Sequence, residues 1–130
     1  MPMPPKADPY VSSSQRMVDV ILIAVAFLVM AIAIATGGKL FVAYNCLDCH
    51  GADGAGAMGP SFQDGRWHFG GSPGDVFESI YQGRPDGMPA WGGRISNDQI
   101  WMLTAYVRSL AAQDLSTENF GGETVERTGH

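Results

Sequence analysis

Apolar residues are spread along this chain in several distinct ways, and each pattern predicts a different element. Residues 17–36, MVDVILIAVAFLVMAIAIAT, are apolar almost without a break, and Asp19 is the only charge among them. As a helix rising 1.5 Å per residue, about twenty residues reach about 30 Å, the thickness of a bilayer's hydrocarbon core. Beyond this run the pattern becomes periodic. Leu40, Phe41 and Tyr44 form one short apolar face. Val76, Phe77 and Ile80 form another, on a helix expected over 75–82 that Gly83 ends. Ile100, Leu103, Val107 and Leu110 repeat at i, i+3, i+7 and i+10, and Ser96 with Gln99 supplies a capping box at the start of that helix.

The stretches between have their own character. Residues 1–16 hold four prolines and three consecutive serines, which predicts an extended or disordered lead. Gly37-Gly38 is expected to end the first helix before a short second one over 39–45. Residues 51–59, GADGAGAMG, form a glycine-rich loop, with Pro60 next. There is no G-K-[ST], so it is not a phosphate loop, and its glycines suit a backbone passing close to a flat group. Trp67, His68 and Phe69 place a buried aromatic element in the following loop. Residues 84–93, RPDGMPAWGG, make a turn-rich strap with a single methionine. Periodicity fails after Ala112. The resulting division is a lead over 1–16, an apolar span over 17–36, a compact domain over 37–112 and a flexible acidic tail over 113–130.

Charge and size narrow the partners. Lys6 and Arg16 balance Asp8 and Asp19, so the formal charge of −5 belongs to the part after residue 36. Nucleic acid is therefore not an expected partner; an acidic surface would steer towards a basic patch on another protein, or simply be solvated. A compact part of about 75 residues buries only about 60% of its unfolded surface and usually needs a staple.

Cys46-Leu47-Asp48-Cys49-His50 supplies one. A C-x-x-C-H run reads as a c-type haem attachment site: two thiols on one side of a helical turn add to the porphyrin vinyl groups, and His50 turns its imidazole to the iron. These are the only two cysteines in 130 residues, so a zinc ribbon lacks its second pair of ligands and a disulfide framework lacks partners. A thiol-redox motif is the competing reading, but it expects a βαβ chain and leaves His50 without a role.

The sixth position on the iron decides what such a centre does. A thioether raises the potential and favours electron transfer, whereas an open position binds small molecules. Met88 is the candidate, because it stands in a strap whose lack of periodicity gives packing no reason to place a Met there. Met58 is too close to His50 in sequence, Met30 lies in the apolar span, and Met102 lies on the capped helix. His68 is the rival, as a second imidazole.

Residues 40–51, Gly59-Pro60, Met88-Pro89-Ala90-Trp91 and the last helix with Tyr106, Val107 and Leu110 together resemble a class I cytochrome c. The M-P-A-W-G strap and the element over 67–70 are similar to haem-c domains associated with haem–copper oxidases and to small membrane-anchored cytochromes. The resemblance implies an all-α cytochrome c fold around one haem c, in which the first and last helices cross. It implies a hydrogen bond from His50 to the Pro60 carbonyl, and haem propionates bonded by Trp67 and Arg84. It also implies a helix crossing made by Gly37 or Gly38 with Phe41, against Leu103 and Tyr106. Phe41 stands five residues before Cys46 where many members have four, which leaves Val42 as its alternative.

The function these features favour is electron transfer in a respiratory or photosynthetic chain, between a quinol-oxidising complex and a terminal oxidase or reductase, or as a haem subunit of one. Such a protein converts no small-molecule substrate and is not itself an enzyme. A haem enzyme or gas sensor with an open site is the alternative, and a structural subunit that carries haem is a third. The haem domain is expected at the bacterial cytoplasmic membrane, facing the periplasm, behind a retained single-pass anchor; a cleaved export signal, for which Ala33-Ile34-Ala35 offers a site, is the competing reading. Retention predicts that mass spectrometry of the haem-stained protein finds residues 1–36 attached, in membranes that survive a high-salt wash. A mature N-terminus at Thr36 would establish cleavage.

Overall fold

The computed structural model describes residues 12–117, which fall into two units dividing between Ile32 and Ala33. Residues 12–117 form four helices: α1 (Ser13–Ala43), α2 (Cys46–His50), α3 (Pro73–Gln82) and α4 (Asn97–Thr117). Among the described residues there is no strand, only isolated bridges at Arg84–Met88 and Gly92–Ile95.

The first unit is the leading part of α1. Its start is set by Ser12, whose hydroxyl accepts the Gln15 N–H at 3.2 Å while its carbonyl accepts the Arg16 N–H at 3.1 Å. The serine run therefore begins a helix inside the region expected to be extended, because Ser is a favoured cap as well as a loop former. Residues 1–11 of the lead lie outside the described residues. The side chains that follow are exposed, Phe27 at 74%, and α1 is long and apolar enough to cross a membrane.

In the second unit α1 runs on through Gly37 and Gly38 to Ala43, without the expected break. A glycine inside a helix costs only about 1 kcal/mol, which packing readily offsets. Here the missing Cβ is what permits the packing. On Gly37 a Cβ would overlap the Met102 carbonyl and stand 2.7 Å from Tyr106 Cβ; on Gly38 it would stand 3.1 Å from the Tyr106 ring. One turn on, Phe41 is 1% exposed with its ring 5.3 Å from that of Tyr106, whereas Val42 is 55% exposed. Phe41 is thus the crossing residue despite its unusual spacing from Cys46.

α3 begins earlier than its apolar positions suggest, because Ser72 and Asp75 form a capping box with Pro73 in the first turn. The S-x-x-D spacing was available as a start signal. Val76 and Ile80 are buried, and Phe77 lies between Tyr81 and Trp101. At α4 the expected box forms: Ser96 N–H donates to Gln99 Oε1 at 3.1 Å, and Gln99 N–H to Ser96 Oγ at 3.2 Å. Ile100, Leu103, Val107 and Leu110 are all buried. The helix continues to Thr117, past the boundary expected at Ala112. Loss of apolar periodicity removes a face to bury but not the capacity to stay helical, and no Gly or Pro intervenes before Thr117. Residues 118–130 of the expected tail lie outside the described residues.

Gly37→Leu should lower stability by about 1–3 kcal/mol through overpacking, seen as an earlier midpoint in denaturant, while Gly38→Ala, which meets only the edge of a ring, has a smaller effect.

Candidate functional site

The site starts where α1 stops. Asn45 adopts a left-handed conformation at φ 57, one that Asn tolerates better than most residues, and turns the chain into the single turn α2. Cys46 is half-buried, Cys49 is exposed, and both thiols are free. Burial pushes the Cys46 thiol above its ordinary range, with the neighbouring Cys49 adding to the shift and a backbone hydrogen bond opposing it.

His50 is 8% exposed, and its Nδ1 lies 3.0 Å from the Pro60 carbonyl oxygen. A carbonyl only accepts, so Nδ1 carries a proton, and in the neutral ring Nε2 is the nitrogen with a lone pair for a metal. Phe62, absent from the expected site, stacks on the imidazole at 4.4 Å and faces Trp67 at 6.3 Å. Its position just after Gly59-Pro60 was the only signal for it. The glycine loop folds back on α2: Gly56 N–H donates to the His50 carbonyl at 2.7 Å and Gly59 N–H to that of Cys49 at 2.8 Å. A Cβ on Gly59 would sit 2.9 Å from His50 Nδ1. Gly59 thus serves close approach to α2 and the imidazole, and Gly54 close approach to Leu110 and Phe62.

The strap carrying Met88 is fastened at both ends. Arg84 N–H donates to the Met88 carbonyl at 3.2 Å, across a turn in which Asp86 and Gly87 have φ of 71 and 112. Trp91 N–H donates to the Ile80 carbonyl and Gly92 N–H to that of Tyr81. Trp91 packs on Tyr44 at 5.3 Å, and the Tyr44 hydroxyl accepts from Gln99 Nε2 at 3.1 Å.

These parts enclose a cavity of about 670 Å³, within the range typical of small-molecule and cofactor sites. Its wall includes Cys46, Cys49, His50, Pro60, Trp67, Arg84 and Met88, so the fold brings together every residue singled out from the sequence. His68 and Met58 also line it, both exposed. The Arg84 guanidinium is held by Ser79 and lies over the Phe69 ring at 4.5 Å. The Ser72 hydroxyl and then its N–H keep the Asp75 carboxyl below the usual range, and the Arg84 charge adds to this.

The family model for cytochrome c oxidase, cbb3-type, subunit III matches residues 32–107, more than half of the chain. The chain belongs to this family. Subunit FixP of the cbb3-type cytochrome c oxidase of Bradyrhizobium diazoefficiens is 43% identical over 79 residues, and FixP of Azorhizobium caulinodans 40% over 77. Subunit CcoP of Rhodobacter capsulatus is 36% identical over 86 residues. These alignments take in 57–58% of this chain but only 26–29% of each relative, so the chain spans under a third of their length. Among solved structures, cytochrome cL of Methylophaga aminisulfidivorans is similar with a TM-score of 0.54 and 28% identity, over 68% of this chain and 66% of that one. The fold is that of an all-α cytochrome c domain.

Membership implies haem c, and the residues fit it. Two free thiols, an imidazole whose Nδ1 proton is engaged by a carbonyl and a thioether all line one largely apolar cavity. Gly59→Ala would press a methyl group on His50 Nδ1. It should lower the yield of haem-stained protein, or shift its visible spectrum, without unfolding α3 and α4 as followed by circular dichroism.

Proposed function

We propose that this chain carries one haem c, bound through thioethers to Cys46 and Cys49 and ligated by His50 and Met88, and that it moves single electrons. The observation that carries this reading is the His50–Pro60 bond at the wall of a cavity that Met88 also lines. Haem supplies a one-electron couple, and the chain's residues decide how it is used. Pro60 orients the imidazole and makes Nε2 the better donor. Met88 would offer the iron a soft thioether, which favours the ferrous state and would let both oxidation states keep the same ligands. Trp67 and Arg84 have donors suited to the propionates. With an electron as its cargo, the protein needs no substrate pocket and catalyses no reaction of its own.

The partners we infer are a quinol-oxidising complex as donor and a terminal oxidase or reductase as acceptor; the second fits the relatives above, which are subunits of a cbb3-type oxidase. The domain over 37–112 would work on the periplasmic side, with 17–36 as the membrane anchor.

The axial assignment separates carrier from catalyst. With Met88 sulfur on the iron, the ferric protein shows a weak near-infrared sulfur-to-iron band and the reduced protein binds carbon monoxide poorly. Met88→Ala should abolish the band, lower the potential and admit carbon monoxide, while His68→Ala leaves the band in place. The reverse pattern would establish ligation by two imidazoles, and rapid binding of carbon monoxide by the unaltered protein would point to an enzyme or sensor.

A further inference from the structure

Ser79 lies on α3, one turn beyond Asp75, and its hydroxyl is fully committed. The proton goes to the Asp75 carbonyl oxygen at 2.9 Å, and Oγ accepts from Arg84 Nε at 3.1 Å and from Nη2 at 3.0 Å. A hydroxyl has one donor and two lone pairs, so all its bonding capacity is used. Two donors from one rigid guanidinium edge fix the group's rotation as well as its position. The Phe69 ring under Cζ adds a cation–π attraction. The backbone of the same residue closes the turn to Met88, so Arg84 is fixed at its side chain by α3 and at its N–H by the strap. Both Arg84 and Met88 line the cavity.

We propose that Ser79 is a positioning residue for the redox centre: it holds the Arg84 guanidinium as a fixed positive charge at the cavity wall that carries Met88, and that charge raises the reduction potential of the haem. The proposal rests on the haem reading given above. Reduction adds one electron to the centre, so a nearby fixed cation favours the reduced state. The effect is larger beside a low-dielectric cavity than in water. Without Ser79 the guanidinium is free to turn outward, where solvent and salt screen it.

The test is a redox titration of the full-length, haem-loaded protein as the unaltered chain and as Ser79→Ala, Ser79→Thr, Arg84→Gln and the Ser79→Ala/Arg84→Gln pair. Alanine is at home inside a helix, so Ser79→Ala keeps α3. The midpoint potential should shift down in Ser79→Ala, return in Ser79→Thr, and shift down at least as far in Arg84→Gln. The double variant should match Arg84→Gln alone, since Ser79 acts through Arg84. An unshifted Ser79→Ala, or a double variant showing the sum of the two single shifts, overturns the proposal. If Arg84→Gln fails to retain haem, the comparison of Ser79→Ala with Ser79→Thr decides by itself. The near-infrared sulfur band, recorded on the same samples, separates the two readings. Its absence from the unaltered protein overturns Met88 ligation while the potentials still decide the role of Ser79; its presence beside an unshifted Ser79→Ala overturns the role of Ser79 alone.

Discussion

The close approach of α1 to α4 at Gly37 is the contact on which the second unit depends. With the Met102 carbonyl where a side chain would otherwise be, the two backbones meet almost without intervening atoms. Phe41 then falls one turn further along α1, against Tyr106 and inside the core with Ile100, Leu103 and Val107. This registration determines where α1 ends, and so where Asn45 turns the chain into Cys46. The same crossing brings Tyr44 within reach of Gln99. The turn that bears both cysteines is therefore placed by packing a full helical turn and more away from it.

The two walls of the cavity are held in different ways. On the His50 side, backbone bonds from the glycine loop to the carbonyls of α2 and the Pro60 carbonyl form a short, self-contained loop. On the Met88 side, the strap has no regular structure of its own and takes its shape from α3, through Arg84, Ile80 and Tyr81, and from α4 through Gln99 and Tyr44. Gln99 has two duties, closing the cap of α4 with one side-chain atom and tying down the end of α1 with the other.

Much of this was legible in the sequence where the signal is local. The stripe from Ile100 to Leu110 and the Ser96–Gln99 box appear as expected, because periodicity and capping each depend on a few neighbouring residues. The C-x-x-C-H run pointed to haem c, the cofactor that family membership implies. Gly37-Gly38 misled, since a glycine pair that ends a helix and one that lets two helices touch are the same two letters, and only α4 tells them apart. Ser12 was hidden in a stretch dominated by prolines. Phe62 offered only its place after Gly59-Pro60 and Ser79 no signal at all, for their roles arise from the imidazole and the guanidinium that tertiary structure sets beside them.

The ten-residue separation of His50 from Pro60 has a consequence for the order of assembly. Closing a short loop sacrifices little chain entropy, and the loss grows with the logarithm of loop length. The strap's bonds to α3, from Trp91 to Ile80 and from Gly92 to Tyr81, close loops of much the same length, whereas the Tyr44–Gln99 and Gly71–Arg108 bonds join residues 55 and 37 positions apart. Contact order is therefore low within each wall of the cavity and high in the contacts that bring the walls together. The thiols with the imidazole belong to one local unit and the methionine with α3 to another, and the cavity between them arrives only with the global fold.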